Sequence, residues 1–115
     1  MIKHWNIDPA VKRLTFVSDL HLFSNRCNAS EHAELIRRSI DESDLCVWGG
    51  DLIDFRWSRM RTEIASVARA IDWLDDWYDR FPTKKFIYLD GNHDAHAPFR
   101  RALADWARRR DRFTW

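Results

Sequence analysis

The chain has 115 residues, 45% of them apolar, enough for one small domain with a modest core and too short for several. Nineteen Lys and Arg stand against 18 Asp and Glu, so net charge names no partner and gives no sign of nucleic-acid binding. No run approaches about 18 apolar residues, which excludes a membrane-spanning helix. The opening MIKHWNIDPAVKR has no apolar stretch of the secretory kind. Seven Trp are expected to pack in the core or to cover helix faces. Cys27 and Cys46 form no metal-type C-x-x-C pair; Cys46 sits in an apolar run and reads as a small core residue. These features lead to the expectation of a reducing, cytoplasmic setting.

In chain order, residues 14–18 (LTFVS) form a short β-rich run. Asn28 then precedes a helix, with Glu31 as its capping-box partner. Leu35, Ile36 and Ile40 mark its apolar face. Residues 45–48 are a second strand, closed by Gly49-Gly50. The longest helix is predicted over 62–80. Ile64, Val67, Ala68, Ile71, Leu74, Tyr78 and Phe81 recur there at three- and four-residue steps, as one buried stripe requires. Pro82 stops it. A third strand covers 85–89, and Pro98 fits the first turn of a last helix running to about Arg110. Residues 113–115 read as the opening of a fourth strand. This alternation predicts an α/β fold of βαβ units around a mostly parallel sheet.

Each of the first three strands runs into a polar cluster. The first gives S-D-L-H, with Asp19 and His21. The second gives G-G-D-L-I-D, with Asp51 and Asp54. The third gives G-N-H-D, with Asn92, His93 and Asp94. In open α/β sheets ligands bind outside the carboxyl ends of the strands, so three separate segments deliver polar residues to one edge. Carboxylate, imidazole and amide oxygen together suit a divalent cation such as Mn, Fe, Mg or Zn. Gly50 and Gly91 are expected to let the backbone turn sharply beside it. Any one cluster could be a turn or a cap. All three, in this order and each after an apolar run, point to a site.

The set resembles the signature of the calcineurin-like metallophosphoesterase superfamily: D-x-H, G-D-x-x-D, G-N-H-D/E, a later His, then G-H-x-H. The first three blocks stand here as Asp19-Leu20-His21, Gly50-Asp51-Leu52-Ile53-Asp54 and Gly91-Asn92-His93-Asp94. FVSDLHLF and WGGDLIDFRW look most like the bacterial branch that includes UDP-2,3-diacylglucosamine diphosphatases. The resemblance implies the N-terminal half of an α/β/β/α sandwich and a two-metal phosphoesterase. Asp19 and His21 would hold one metal, Asp51 would bridge both, and Asn92 would bind the second. His93 would stabilise or protonate the leaving oxygen, with Asp94 orienting it. Asp54 would brace the loop. Two divalent ions, Mn first among them, would activate a hydroxide to hydrolyse a phosphomonoester, phosphodiester or diphosphate.

The later His and G-H-x-H of that signature do not occur in these 115 residues; His96 is the last His, and neither it, His4 nor His32 matches. The expectation is a domain incomplete at its C-terminus and weakly active alone, with sheet surface uncovered at strand three and at 113–115, Trp included. Self-association would follow. The alternative is a catalytically silent interaction module. A nuclease would call for a basic track interleaved with aromatics, which is missing. Arg56, Arg59 and Arg61 follow the second block and could hold a diphosphate or another anion. Arg100, Arg101, Arg108, Arg109, Arg110 and Arg112 make the last helix basic. That suits the helix dipole or, more sharply, an anionic membrane surface to which the protein would be peripheral. Expected partners are therefore a phosphorylated small molecule or nucleotide-lipid substrate, a second copy and that surface, not nucleic acid.

Overall fold

The computed structural model describes residues 8–22, 29–53, 63–90 and 96–115. Strands and helices alternate: β1 (Leu14–Val17), α1 (Ala29–Asp41), β2 (Leu45–Trp48), α2 (Glu63–Arg80), β3 (Lys85–Tyr88), α3 (Ala97–Ala107) and β4 (Phe113–Thr114). The strands lie in the order β1-β2-β3-β4, and every pairing is parallel. The expected α/β class is therefore the observed one, and 113–114 does form the fourth strand.

Strand order in step with chain order has a consequence. Right-handed crossovers repeated in one direction place every connecting helix on the same side of the sheet. Register identifies that side. Thr15, Cys46, Phe86 and Phe113 pair across the sheet, as do Val17, Trp48 and Tyr88. Thr15 Oγ1 donates to the Ser39 carbonyl of α1 at 2.9 Å. Trp48 meets Trp73 of α2 edge-on, with ring centroids 5.0 Å apart. Tyr88 and Phe113 meet Phe99 and Trp106 of α3 at 5.7 and 4.6 Å. Cys46 is fully buried here as a free thiol, as expected, and burial pushes its pKa up.

The opposite face carries Leu14, Phe16, Leu45, Val47, Lys85, Ile87 and Thr114, and no described helix lies on it. The segment leading to β1 borders it, with Asp8 paired to Lys85 at 3.4 Å. A bare face was expected, but at strand three and the 113–115 segment. Instead its most exposed apolar side chains are on β1, Leu14 at 46% and Phe16 at 58%. Phe86, Tyr88 and Phe113 point into the helix-covered core, and Trp115 is half-buried with its indole N–H on Asp90. An edge strand has a neighbour on one flank only, whereas Ile87 is flanked on both sides and half-buried.

Two helix faces also differ from their sequence reading. In α1, Ile36 and Ile40 are buried one turn apart, but Leu35 is off that line and 60% exposed. In α2 the sheet-facing line is Ser66, Ala70, Leu74, Trp77 and Phe81. Ile64 is 82% exposed, and with Val67, Ala68 and Ile71 it borders an open cleft of about 660 Å³ against α3. Ser66 and Ala70 are the buried positions of this part of the helix, while Val67 and Ile71 beside them are half-buried and pack against the edge of the core. α3 starts with Pro98 in its first turn, as expected, but ends at Ala107 rather than near Arg110. The amides of Arg109 and Arg110 bond three residues back, to Trp106 and Ala107, a tightening that turns the chain into β4. Among the described residues no helix is long and apolar enough to cross a membrane.

Candidate metal centre

Past their last paired residues, the chains leaving β1 and β2 stay side by side. The Asp19 amide donates to the Gly50 carbonyl at 3.4 Å and the Leu22 amide to that of Leu52 at 3.0 Å. Leu22 and Ile53 form a parallel bridge. Leu20, Leu22, Leu52 and Ile53 are all buried. These four apolar residues anchor the two strand extensions in the core. Asp19, exposed, and His21 and Asp51, half-buried, are left at the C-terminal edge of the sheet.

The backbone here is unusual. Asp19, His21 and Asp51 have φ of 57°, 52° and 60°, and among the described residues they are the only non-glycines with positive φ. A left-handed conformation costs an L-residue about 1–2 kcal/mol, although Asp and His visit it more readily than most. It persists only where the surroundings impose it, and it clusters at functional sites. The three positions that carry it are the three described positions predicted to bind metal. Gly50 lies in the bend after β2, as expected, together with Asp51; no described glycine has positive φ, and the left-handed conformation falls on Asp51. The glycine the structure requires is Gly49, where a Cβ would run into the Phe16 ring and come within 3.0 Å of Ser18 Cβ. Its amide donates to the Val17 carbonyl at 2.6 Å. The missing side chain lets the ends of β1 and β2 close on each other.

Ser18 Oγ donates to Asp19 Oδ2 at 3.0 Å, which fixes the carboxylate beside its own strand end. A cleft of about 400 Å³ opens next to it, bordered by Phe16, Ser18, Asp19, His32, Leu35 and Ser39. The larger cleft between α2 and α3 holds none of the predicted site residues. β3 reaches the same edge: the Leu89 amide donates to the Trp48 carbonyl at 2.8 Å, carrying the strand on to Asp90. Asn92, His93 and Asp94 lie outside the described residues, as do Gly91, Asp54, Arg56, Arg59, Arg61, Asn28 and Cys27. Among the described residues no three of His, Cys, Asp and Glu are grouped closely enough to hold a metal ion. In donor type the set fits a hard or borderline divalent cation: two carboxylates and an imidazole on one strained edge.

Four basic residues of the 100–112 stretch, three of them past the end of α3, have specific tasks. Arg112 donates to the carbonyls of Phe81, Lys84 and Tyr78, at 2.8, 2.6 and 3.3 Å, and so closes the C-terminal end of α2. Arg110 pairs with Asp75 at 3.1 Å, Arg108 with Asp105 at 3.3 Å and Arg100 with Asp90 at 3.3 Å. Asp90 was not singled out in the sequence, because its partners are far along the chain and no motif marks them.

No curated protein and no solved structure matches the chain. The sequence model of the calcineurin-like phosphoesterase family does, over residues 12–115, from the approach to β1 through β4. The matched span contains Asp19, His21 and Asp51 on their strained edge, together with the GNHD segment. The chain belongs to the calcineurin-like phosphoesterase family.

Proposed function

We propose that the chain is a metal-dependent phosphoesterase domain. The observation that carries this reading is the coincidence of left-handed backbone with Asp19, His21 and Asp51. Asp19 and His21 would hold one divalent ion, Asp51 both, and Asn92 the second, with Mn²⁺ the first candidate. When bound, such ions neutralise phosphate charge and make hydroxide available near neutral pH. His93 would then give a proton to the departing ester oxygen, with Asp94 holding its ring in the productive orientation. The substrate would be a phosphomonoester, phosphodiester or diphosphate on a small molecule or nucleotide-lipid.

Calorimetric titration with Mn²⁺ tests the reading. Asp51→Asn keeps the shape and the left-handed tolerance but removes the charge. It is expected to weaken binding at least about tenfold, by analogy with the loss when a metal site's supporting groups are removed. Equal affinities would sink the reading and favour a silent interaction module. Hydrolysis of an aryl phosphate by these 115 residues alone is expected to be weak, since no His follows His96. Fast Mn²⁺-dependent turnover abolished by His93→Ala would show that these residues suffice.

A further inference from the structure

Among the described residues only Leu14, Phe16, Leu35 and Ile64 are large, apolar and exposed. Two of them, Phe16 of β1 and Leu35 of α1, border one cleft, the volume of about 400 Å³ beside Asp19. β1 is an edge strand, with β2 on one flank and no described strand on the other. The cleft is lined by consecutive residues of the chain, 15 to 20, from both faces of the strand. It therefore follows the free flank of β1, with α1 as its other wall.

The two ends of this cleft differ. At one end Thr15 Oγ1 donates to the Ser39 carbonyl at 2.9 Å, and Ser43 Oγ donates to the same carbonyl at 2.6 Å. The two hydroxyls also bond each other. These polar groups satisfy one another and tie β1 to α1. At the other end stand Asp19, on the strained edge of the sheet, and His32, near the start of α1. The Ser18 hydroxyl there is already spent on Asp19. What remains between the ends is apolar: exposed Phe16 and Leu35, half-buried Val17 and buried Ile36. The Phe16 ring rests against Gly49, which gives it a fixed seat.

We propose that this cleft is the subsite for the group esterified to the phosphate, and that it takes an apolar ring, with Phe16 and Leu35 setting the preference. This rests on the metal-dependent reading above, which puts the phosphate at Asp19. The cleft is continuous with Asp19, so an ester substituent leaving the phosphate on that side enters it directly. Its volume lies within the range of small-molecule sites, about 300–1,000 Å³. A sugar would find hydroxyls already paired with protein groups, whereas a ring finds an aromatic face and a branched aliphatic side chain to lie against.

The experiment is calorimetric titration of the Mn²⁺-loaded whole chain with phenylphosphonate and with methylphosphonate, which share an anion, resist hydrolysis and differ in the ring. Phenylphosphonate is expected to bind about tenfold tighter, as partial burial of a ring implies. Leu35→Ser and Phe16→Ala should each reduce that preference by about threefold or more, with the affinities for Mn²⁺ and methylphosphonate unchanged. Ile64→Ser removes an exposed apolar side chain from the cleft between α2 and α3 and should leave the preference intact. If Ile64→Ser abolishes the preference and Leu35→Ser does not, the ring binds in that other cleft and the inference is overturned. If Mn²⁺ binding depends on Asp51 but the two phosphonates bind alike, the inference alone fails. That is the pattern expected where another strand, such as one from a second copy, covers the free flank of β1. Unchanged Mn²⁺ affinity in Asp51→Asn would remove the metal reading and this inference with it. Leu35→Ser, an exposed change on a helix, decides the matter if Phe16→Ala does not fold.

Discussion

At the N-terminal ends of the strands, polar side chains serve the backbone. Asp44, just before β2, accepts the amides of Lys12 and Arg13 at 2.8 and 3.1 Å. Arg112, just before β4, donates to three carbonyls around the end of α2 and stacks on Tyr78, 3.8 Å from its ring centroid. At the C-terminal ends of the same strands, Asp19, His21 and Asp51 stand on left-handed backbone. The first end uses charge to satisfy orphan peptide groups, which lowers the energy of the fold. The second carries a conformational cost at two carboxylates and an imidazole. One set of strands thus separates an end where side chains satisfy the backbone from an end where they stand on strained backbone.

The largest stability effect is expected at the first end. Arg112→Met leaves three carbonyls without their charged donor and should cost about 2–3 kcal/mol, lowering Tm by roughly 10 °C. Mn²⁺ affinity should stay close to that of wild type. Urea unfolding and metal titration of one preparation check both. A large loss of affinity without a loss of stability would break the division outright.

Next in size come glycine replacements at the second end. Asp19→Gly, His21→Gly and Asp51→Gly each remove about 1–2 kcal/mol of left-handed strain. They also loosen the unfolded chain by up to about 1 kcal/mol. Stability should therefore hold or rise by as much as about 1 kcal/mol, while Mn²⁺ binding falls. If these variants are destabilised beyond about 1 kcal/mol, the three side chains support the fold and the contrast between the ends disappears.

Much of this was legible in the sequence, for physical reasons that also mark the limit. Strands such as LCVW declare themselves because they are short, apolar and closed by glycines. The alternation of elements then leaves little choice but a parallel sheet. The placement of Asp19, His21 and Asp51 at the C-terminal edge of the sheet followed from where they fall after such runs. The face of α2 followed in part: Leu74, Tyr78 and Phe81 are buried and Val67 and Ile71 pack against the core, but Ile64 and Ala68 are exposed. A three- and four-residue period reveals a stripe but not what lies under it. Ser66 and Ala70 are buried, whereas Ile64 and Ile71 border an open cleft against α3. The strain at Asp19, His21 and Asp51 was also invisible, since nothing in D-L-H or G-G-D states a sign of φ. The hydrogen bond from the Trp115 indole to Asp90 joins residues 25 apart through side chains alone and leaves no local pattern.

The face of the sheet that no described helix covers runs between both ends and belongs to neither; Leu45 and Val47 on it are buried, and its apolar exposure is concentrated on β1. Leu14, at 46% exposure on the edge strand, offers a substitution that should change only association. Leu14→Thr introduces a β-branched side chain that suits a strand and removes apolar surface that would otherwise drive self-association. Light scattering should show a smaller species for the variant, with Tm and Mn²⁺ affinity close to wild type. A stable monomeric wild type would show that this face closes on itself.

The smallest effect is a pH dependence assigned to the N-terminal ends. The backbone amides of Lys12 and then Arg13 hold the Asp44 carboxyl below its usual range. Asp8 is lowered as well, first by the Ala10 amide and then by Lys85. A carboxyl whose pKa is depressed on folding contributes stability that is fully present above its unfolded value, about 3.9. That contribution is lost as pH falls through the folded value. Stability should therefore show no slope from these groups around neutrality and a shallow decline in acid below about pH 4. Asp44→Asn should flatten that decline, because an amide accepts the same two backbone bonds at every pH. Asp8→Asn should flatten it further. Both groups are solvent-exposed, so the decline should shrink in high salt where Lys85 is involved, and less where backbone amides are the cause. Unfolding followed across the acid range in the single and double variants separates the two. A decline that survived both substitutions would place the acid-sensitive groups elsewhere. The N-terminal ends would then no longer be where charge stabilises this fold.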